Sequence, residues 1–187
     1  MYYKKILAAA LTVSCIGGIV PANSVQAASL KIRYSGKTRY YKGKQLHVSY
    51  ANKNLSSKYV GIQINKVNMI PYYDYLVKQG PKVKRTYSKS SGKLILKNGD
   101  DTLTAYVGKR TYYLNGVKKT FSVAPTKVKY YKTKKTIILI PANAIVKGLG
   151  LNYKYSSSSK RIYITQPVIP SDSTTQAPTQ PSGSVQY

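Results

Sequence analysis

The sequence predicts an α+β fold made of two copies of one small unit, and three observations point there. Apolar and polar residues alternate through most of the chain, two short apolar stretches begin at a proline and end at a glycine, and these stretches recur at a shift of 70 residues. Successive side chains of a strand point to opposite faces, so alternation marks a half-buried strand. A proline suits the first helical turn, where its missing N–H has no partner to lose. A repeated pattern marks a repeated structural unit.

The first residues read as a targeting segment. Lys4 and Lys5 precede an apolar run from Ile6 to Val20, and Val25-Gln26-Ala27 offers the small residues that suit signal peptidase. Cleavage is expected after Ala27, which makes residues 1–27 a signal peptide. The run is shorter than the roughly 20 residues a membrane-spanning helix needs. Cys15 belongs to this segment, since Thr12-Val13-Ser14 lacks the Leu wanted ahead of a lipid-modified cysteine. Removing 1–27 leaves 29 basic and 4 acidic residues, a net charge of +25, and no cysteine for a disulfide.

Strands follow in order. Leu30, Ile32 and Tyr34 alternate with Lys31 and Arg33, Leu94 and Leu96 flank Ile95, Tyr153 and Tyr155 flank Lys154, and Ile162 and Ile164 flank Tyr163. Asn98-Gly99, between Lys93–Lys97 and Thr102–Val107, and Asn115-Gly116, between Arg110–Leu114 and Val117–Val123, are pairs that tolerate a type I′ turn, so each predicts a hairpin. Pro71 and Pro141 each open a short helix, closed by Gly80 and by Gly148 or Gly150, a residue that readily takes the left-handed conformation.

The duplication pairs Ile70–Gly80 with Ile140–Gly150 at a shift of 70, then Tyr87–Leu96 with Tyr155–Ile164 at a shift of 68, while Gly36–Tyr41 recurs as Gly108–Tyr113. A short helix with one apolar side must lie on a sheet, so each copy reads as a small α+β unit. The expected division is a first unit over 28–100 and a second over 101–166. From residue 167 to Tyr187 the chain is Pro, Ser, Thr and Gln with few large apolar residues, which predicts a disordered tail or spacer. It holds no Leu-Pro-x-Thr-Gly sorting signal, so covalent wall anchoring is not expected.

The stretch Asn115-Gly116 through Phe121-Ser122-Val123-Ala124-Pro125, then Ile140-Pro141, Gly148-Leu149-Gly150, Tyr155 and Ile162-Tyr163-Ile164, resembles the copper amine oxidase N-terminal-like domain. This is a stalk domain of secreted and surface proteins of Gram-positive bacteria. The resemblance covers nearly all of the expected folded part, the second unit matching better than the first. It implies, for each unit, an antiparallel sheet of about five strands twisted around one short helix. Asn143 and Lys147 stand where the family often has Arg and Glu, and Tyr155 where it often has Trp. The oxidase chemistry of the family's name resides in a different domain, with three His for copper and a quinone from a Tyr in an Asn-Tyr-acid sequence. Here His47 is the one histidine and Asn152-Tyr153 is followed by Lys154. No cofactor and no metal are expected.

Composition gives little to an enzyme: no Glu, no Trp, one His, and only Asp74, Asp100, Asp101 and Asp172 as acids. Asp100-Asp101 follows Asn98-Gly99 as hairpin-turn residues, and Asp74 sits in a predicted first helical turn where a carboxylate suits the dipole. Ser156–Ser159 is a turn without the glycine-framed elbow of serine hydrolases, and Gly148-Leu149-Gly150 ends a helix instead of cradling phosphate. No catalytic residue is assigned.

What remains is basic and aromatic surface. The candidate polyanion-binding set is Lys42, Lys44, Lys118, Lys119, Lys129, Lys132, Lys134 and Lys135 with Tyr40, Tyr41, Tyr112 and Tyr113, and Lys127, Lys154, Lys160, Arg161, Tyr130, Tyr131 and Tyr153 lie in similar strands. Lysines release the counterions of a polyanion while rings contact sugars or bases. Against this stands the plainer reading of lysines solvating a sheet on which tyrosines pack. The expected function is a non-enzymatic, secreted envelope module, a stalk or scaffold that binds anionic cell-wall polymer. The alternative is an extracellular protein-interaction module using sheet edges and Tyr-rich surface to hold another secreted protein. A wall hydrolase would need a catalytic carboxylate pair. No recognition-helix or RNA-motif pattern supports specific nucleic-acid readout.

Overall fold

The structure, a computed structural model, describes residues 29–167. The targeting segment with its cleavage point after Ala27, and the tail from residue 168, lie outside the described residues. Up to Asn98 the chain forms β1 (Leu30–Tyr34), β2 (Lys37–Tyr41), β3 (His47–Tyr50), β4 (Lys53–Leu55), β5 (Ile62–Ile64), β6 (Val67–Pro71), a π-helix (Tyr73–Gln79), β7 (Lys84–Tyr87) and β8 (Lys93–Asn98). It continues with β9 (Asp101–Tyr106), β10 (Thr111–Leu114), β11 (Val117–Thr120), β12 (Thr126–Tyr130), β13 (Lys135–Pro141), helix α1 (Ala142–Gly148), β14 (Asn152–Ser156) and β15 (Arg161–Thr165).

Three sheets result, ordered β2-β1-β12-β13-β6-β5, β11-β10-β9-β8-β7 and β14-β15-β3-β4. This corrects the expected α+β fold of two repeated modules: the described chain is mostly β, and all three of its sheets mix strands from both halves. β1 pairs with β12, β6 with β13, and β3 lies parallel to β15. The physical reason lies in the two Ile-Pro strands. Met69-Ile70 and Leu139-Ile140 are buried to 0% exposure on both faces, so each needs a neighbouring strand as well as a core. They supply one another, with Ile70 opposite Ile140. Seven residues of helix are also too short to cover a five-stranded sheet alone.

Both helices instead share one core. Tyr75 and Leu76 of the π-helix and Ile145 and Val146 of α1 meet Ile70 and Ile140, Leu94, Leu96 and Leu103 of the five-stranded sheet, and Val48, Ile162 and Ile164 of the four-stranded one. Each fully buried Leu or Ile contributes about 1.5–3 kcal/mol. The opposite face of the six-stranded sheet carries a second cluster of Ile32, Ile62, Met69, Val128, Tyr130 and Leu139.

Local chemistry follows the sequence reading in part. Asn115 and Gly116 form a two-residue turn with φ of 49° and 81°, both in the left-handed region that type I′ requires. At the other hairpin Asn98 pairs with Asp101, so the turn centres on Gly99 and Asp100 and frees the Asn98 amide to donate to the Leu149 carbonyl at 2.7 Å. Pro71 and Pro141 end their strands and precede the helices. Gly80 closes the π-helix with φ −77°, outside the left-handed region. Its role is steric, because a Cβ there would strike the Tyr75 carbonyl oxygen.

Candidate polyanion-binding face

The six-stranded sheet extends beyond the helical core. Where β6 and β13 pair, one of its faces is covered by the helices; at β12, β1 and β2 the same face is open. Strand alternation puts Ile32, Val128 and Tyr130 on the buried side, which leaves Lys31, Arg33, Lys127 and Lys129 exposed on the other. The register brings these cations together, with Arg33 opposite Lys129 and Lys31 opposite Tyr40. Neither β1, β2, β12 nor β13 contains an acidic residue.

Tyr131 organises the cluster. The Lys31 ammonium lies 5.2 Å from its ring centroid and the Lys129 ammonium 5.5 Å, while Lys31 also stands 5.5 Å from the Tyr40 ring. Its phenol shares a 2.9 Å hydrogen bond with the Thr38 hydroxyl. That bond first, and then the positive charges of Lys129, Arg33 and Lys31, hold the phenol's pKa below its ordinary value. A field that favours a phenolate favours any anion seated there.

The predicted residues separate. Tyr40, 59% exposed, and Lys129 belong to this face. Lys132 and Lys134 occupy the β12–β13 turn, Lys135 pairs with the buried Tyr130 on the opposite side, and Lys42 and Lys44 follow β2. Tyr41 has a structural role: its phenol accepts the Gln63 N–H at 2.8 Å and donates to the Lys44 carbonyl at 3.0 Å, and burial pushes it up. Tyr112 is buried and stacked on Phe121 at 3.9 Å. Lys118, Lys119 and Tyr113 lie elsewhere, on the β10–β11 edge of the five-stranded sheet, with Lys118 opposite Tyr113. Sequence reasoning passed over Lys31 and Arg33, which appear as the polar half of an alternation. Their basic, exposed positions in β1 were visible, whereas their partner strand was not.

Two of the acids, Asp74 and Asp101, are engaged in local bonds. Asp74 accepts from the Ser57 hydroxyl at 2.5 Å, and Asp101 from the Asn115 amide at 3.0 Å. His47 is exposed on β3, opposite Arg161. Among the described residues no three His, Cys, Asp or Glu side chains gather, and a lone imidazole does not fit a copper ion. No helix of the described residues is long and apolar enough to cross a membrane.

No curated protein and no solved structure matches the chain. The copper amine oxidase N-terminal domain family matches residues 50–164, more than half of the sequence and most of all three sheets. The matched domain is the accessory one and not the oxidase domain. By that match, the chain belongs to the copper amine oxidase N-terminal domain family.

Proposed function

We propose that the chain is a non-enzymatic, secreted cell-envelope module, a stalk or scaffold that holds anionic wall polymer electrostatically. One observation carries the reading: Lys31, Arg33, Lys127 and Lys129 share an uncovered sheet face whose strands contain no acid. A net charge of +27 adds a long-range field that draws in polyanions and weakens with salt. Outside a Gram-positive cell the abundant polyanions are teichoic acids. The test is a pull-down of the chain on wall sacculi, with and without teichoic acid extraction, across a salt series. Binding that falls steeply with salt, is lost on extraction and is weakened in a Lys31→Ser/Arg33→Ser/Lys129→Ser variant supports the proposal. Salt-insensitive binding, or a triple variant that binds like the parent, overturns it.

A second reading has its own observation. β11 is an edge strand, every one of its residues is exposed, and Val117 is 60% exposed. An open edge can take a strand of another secreted protein. Lys118 and Lys119 there oppose indiscriminate pairing.

A further inference from the structure

Two clefts, of about 410 Å³ and about 360 Å³, are lined by residues that correspond between the two halves of the chain. Pro71, Tyr73 and Asp74 line the first; Pro141, Asn143 and Ala144, at a shift of 70, line the second. Arg85 and Tyr87 of β7 correspond to Tyr153 and Tyr155 of β14 at a shift of 68. Thr136–Ile138 of β13 correspond to Lys66–Asn68 at 70. Each cleft therefore takes a helix entrance and a hairpin strand from one half and a wall from the other, because β6 and β13 are neighbours. A gap left by chance between side chains would not recur at matching positions. The concavity belongs to the backbone, and side chains give each copy its chemistry.

The second copy is neutral apart from Lys66 at its rim, with Asn68 donating to the Tyr153 phenol at 2.8 Å. The first is aromatic and cationic. The Tyr73 ring is 46% exposed and braced edge-on by Tyr72 at 6.5 Å. The Arg85 guanidinium sits 4.7 Å from the Tyr73 ring centroid and donates to the Tyr72 phenol at 3.3 Å, a bond that uses one of its five donors. Lys135 stands at the rim, and Asp74, oriented by Ser57, offers its second oxygen as an acceptor.

We propose that the cleft around Tyr73 and Arg85 is a binding subsite for a pyranose that carries a carboxylate or phosphate. The exposed ring supplies a flat platform for the C–H face of a sugar, the guanidinium is suited to bidentate capture of the acid, and Asp74 takes a sugar hydroxyl. Two cations against one carboxylate leave the cleft net positive. It also adjoins the basic face, since Thr136 of its wall is the cross-strand partner of Lys129. This goes beyond the electrostatic reading: charge alone selects no ring.

The test titrates the full chain, by calorimetry and by saturation-transfer NMR, with four probes: an oligouronate, a phosphorylated oligosaccharide, a neutral oligosaccharide of equal length, and polyglycerol phosphate, which has no ring. Tyr73→Ala is expected to weaken one or both acidic sugars by roughly tenfold or more and to leave polyglycerol phosphate unchanged. Arg85→Gln is expected to abolish the preference for acidic over neutral sugar. Whichever acidic probe responds identifies the acid group. Both positions are exposed, and circular dichroism checks that the variants fold. Equal binding of acidic and neutral sugars by the parent, or an unchanged affinity in Tyr73→Ala, overturns the proposal. The Lys31→Ser/Arg33→Ser/Lys129→Ser variant separates the two readings: it should lose polyglycerol phosphate and still distinguish acidic from neutral sugar.

Discussion

At the scale of single residues, the tyrosines divide into two populations that an alkaline titration should resolve. Tyr131 is held low by the Thr38 bond and then by surrounding cations, so it should ionise first in a titration followed at 295 nm. Tyr131→Phe should delete that early component. Tyr75 behaves in the opposite way: burial first and Asp74 second push it from 10.0 up to about 12, and burial also raises Tyr130, Tyr72 and Tyr153. The unfolded chain releases these protons near pH 10 while the folded chain keeps them. Stability from these groups is therefore intact below pH 10 and declines as pH rises toward 12. Urea midpoints measured from pH 8 to 11.5 should fall only above about pH 10. Packing supplies a second single-residue test. Phe121 is 1% exposed and lies flat on Tyr112 with an interplanar angle of 10°. Phe121→Ala should cost about 3–5 kcal/mol in urea unfolding.

At the scale of elements, turns and helix ends show how much the sequence exposes. The Asn115-Gly116 hairpin was legible because a two-residue loop needs two left-handed positions and few residue pairs supply them. Asn98-Gly99 misled by one position, since the Asn98 side chain has a better use bonding Leu149, a partner that no local pattern reveals. The helices at Pro71 and Pro141 were legible in place, but the π geometry of the first was not. It follows from the tight Gly80 closure, where the backbone N–H bonds the Tyr75 carbonyl at 3.1 Å. Two glycine substitutions distinguish steric from conformational need. Gly116→Ala meets open space and suffers only its positive φ, a cost of about 1 kcal/mol. Gly80→Ala drives a methyl into the Tyr75 carbonyl and should cost more, about 1–3 kcal/mol, in the same urea assay.

At the scale of the whole molecule, strand exchange decides behaviour. Period-two patterning disclosed most strands, because burial on one face is a local property. It could not disclose that β1 pairs with β12 or β3 with β15, since those bonds join residues more than a hundred or nearly a hundred positions apart. For the same reason Tyr40 and Lys129 were recognised as candidates while Lys31 and Arg33 were not. Cutting the chain between Gly99 and Asp100 should leave two halves without dispersed amide resonances when separate, and mixing them should restore the spectrum. Two independently folded halves would show dispersion unmixed. Charge gives a further whole-molecule prediction. With +27 spread over the chain, adding salt should raise the melting temperature of the free protein by screening self-repulsion, while the same salt weakens its hold on polyanions. The parallel pairing of β3 with β15 also fixes an order of events. A chain made from its N-terminus presents β1 and β3 long before β12 and β15 exist, so neither early strand can close its ladder until nearly the whole described region has emerged. Long-range pairing of this kind is slow to form. Refolding from denaturant should therefore run slower than in a fold of equal length built from neighbouring strands, a delay that stopped-flow measurement would register.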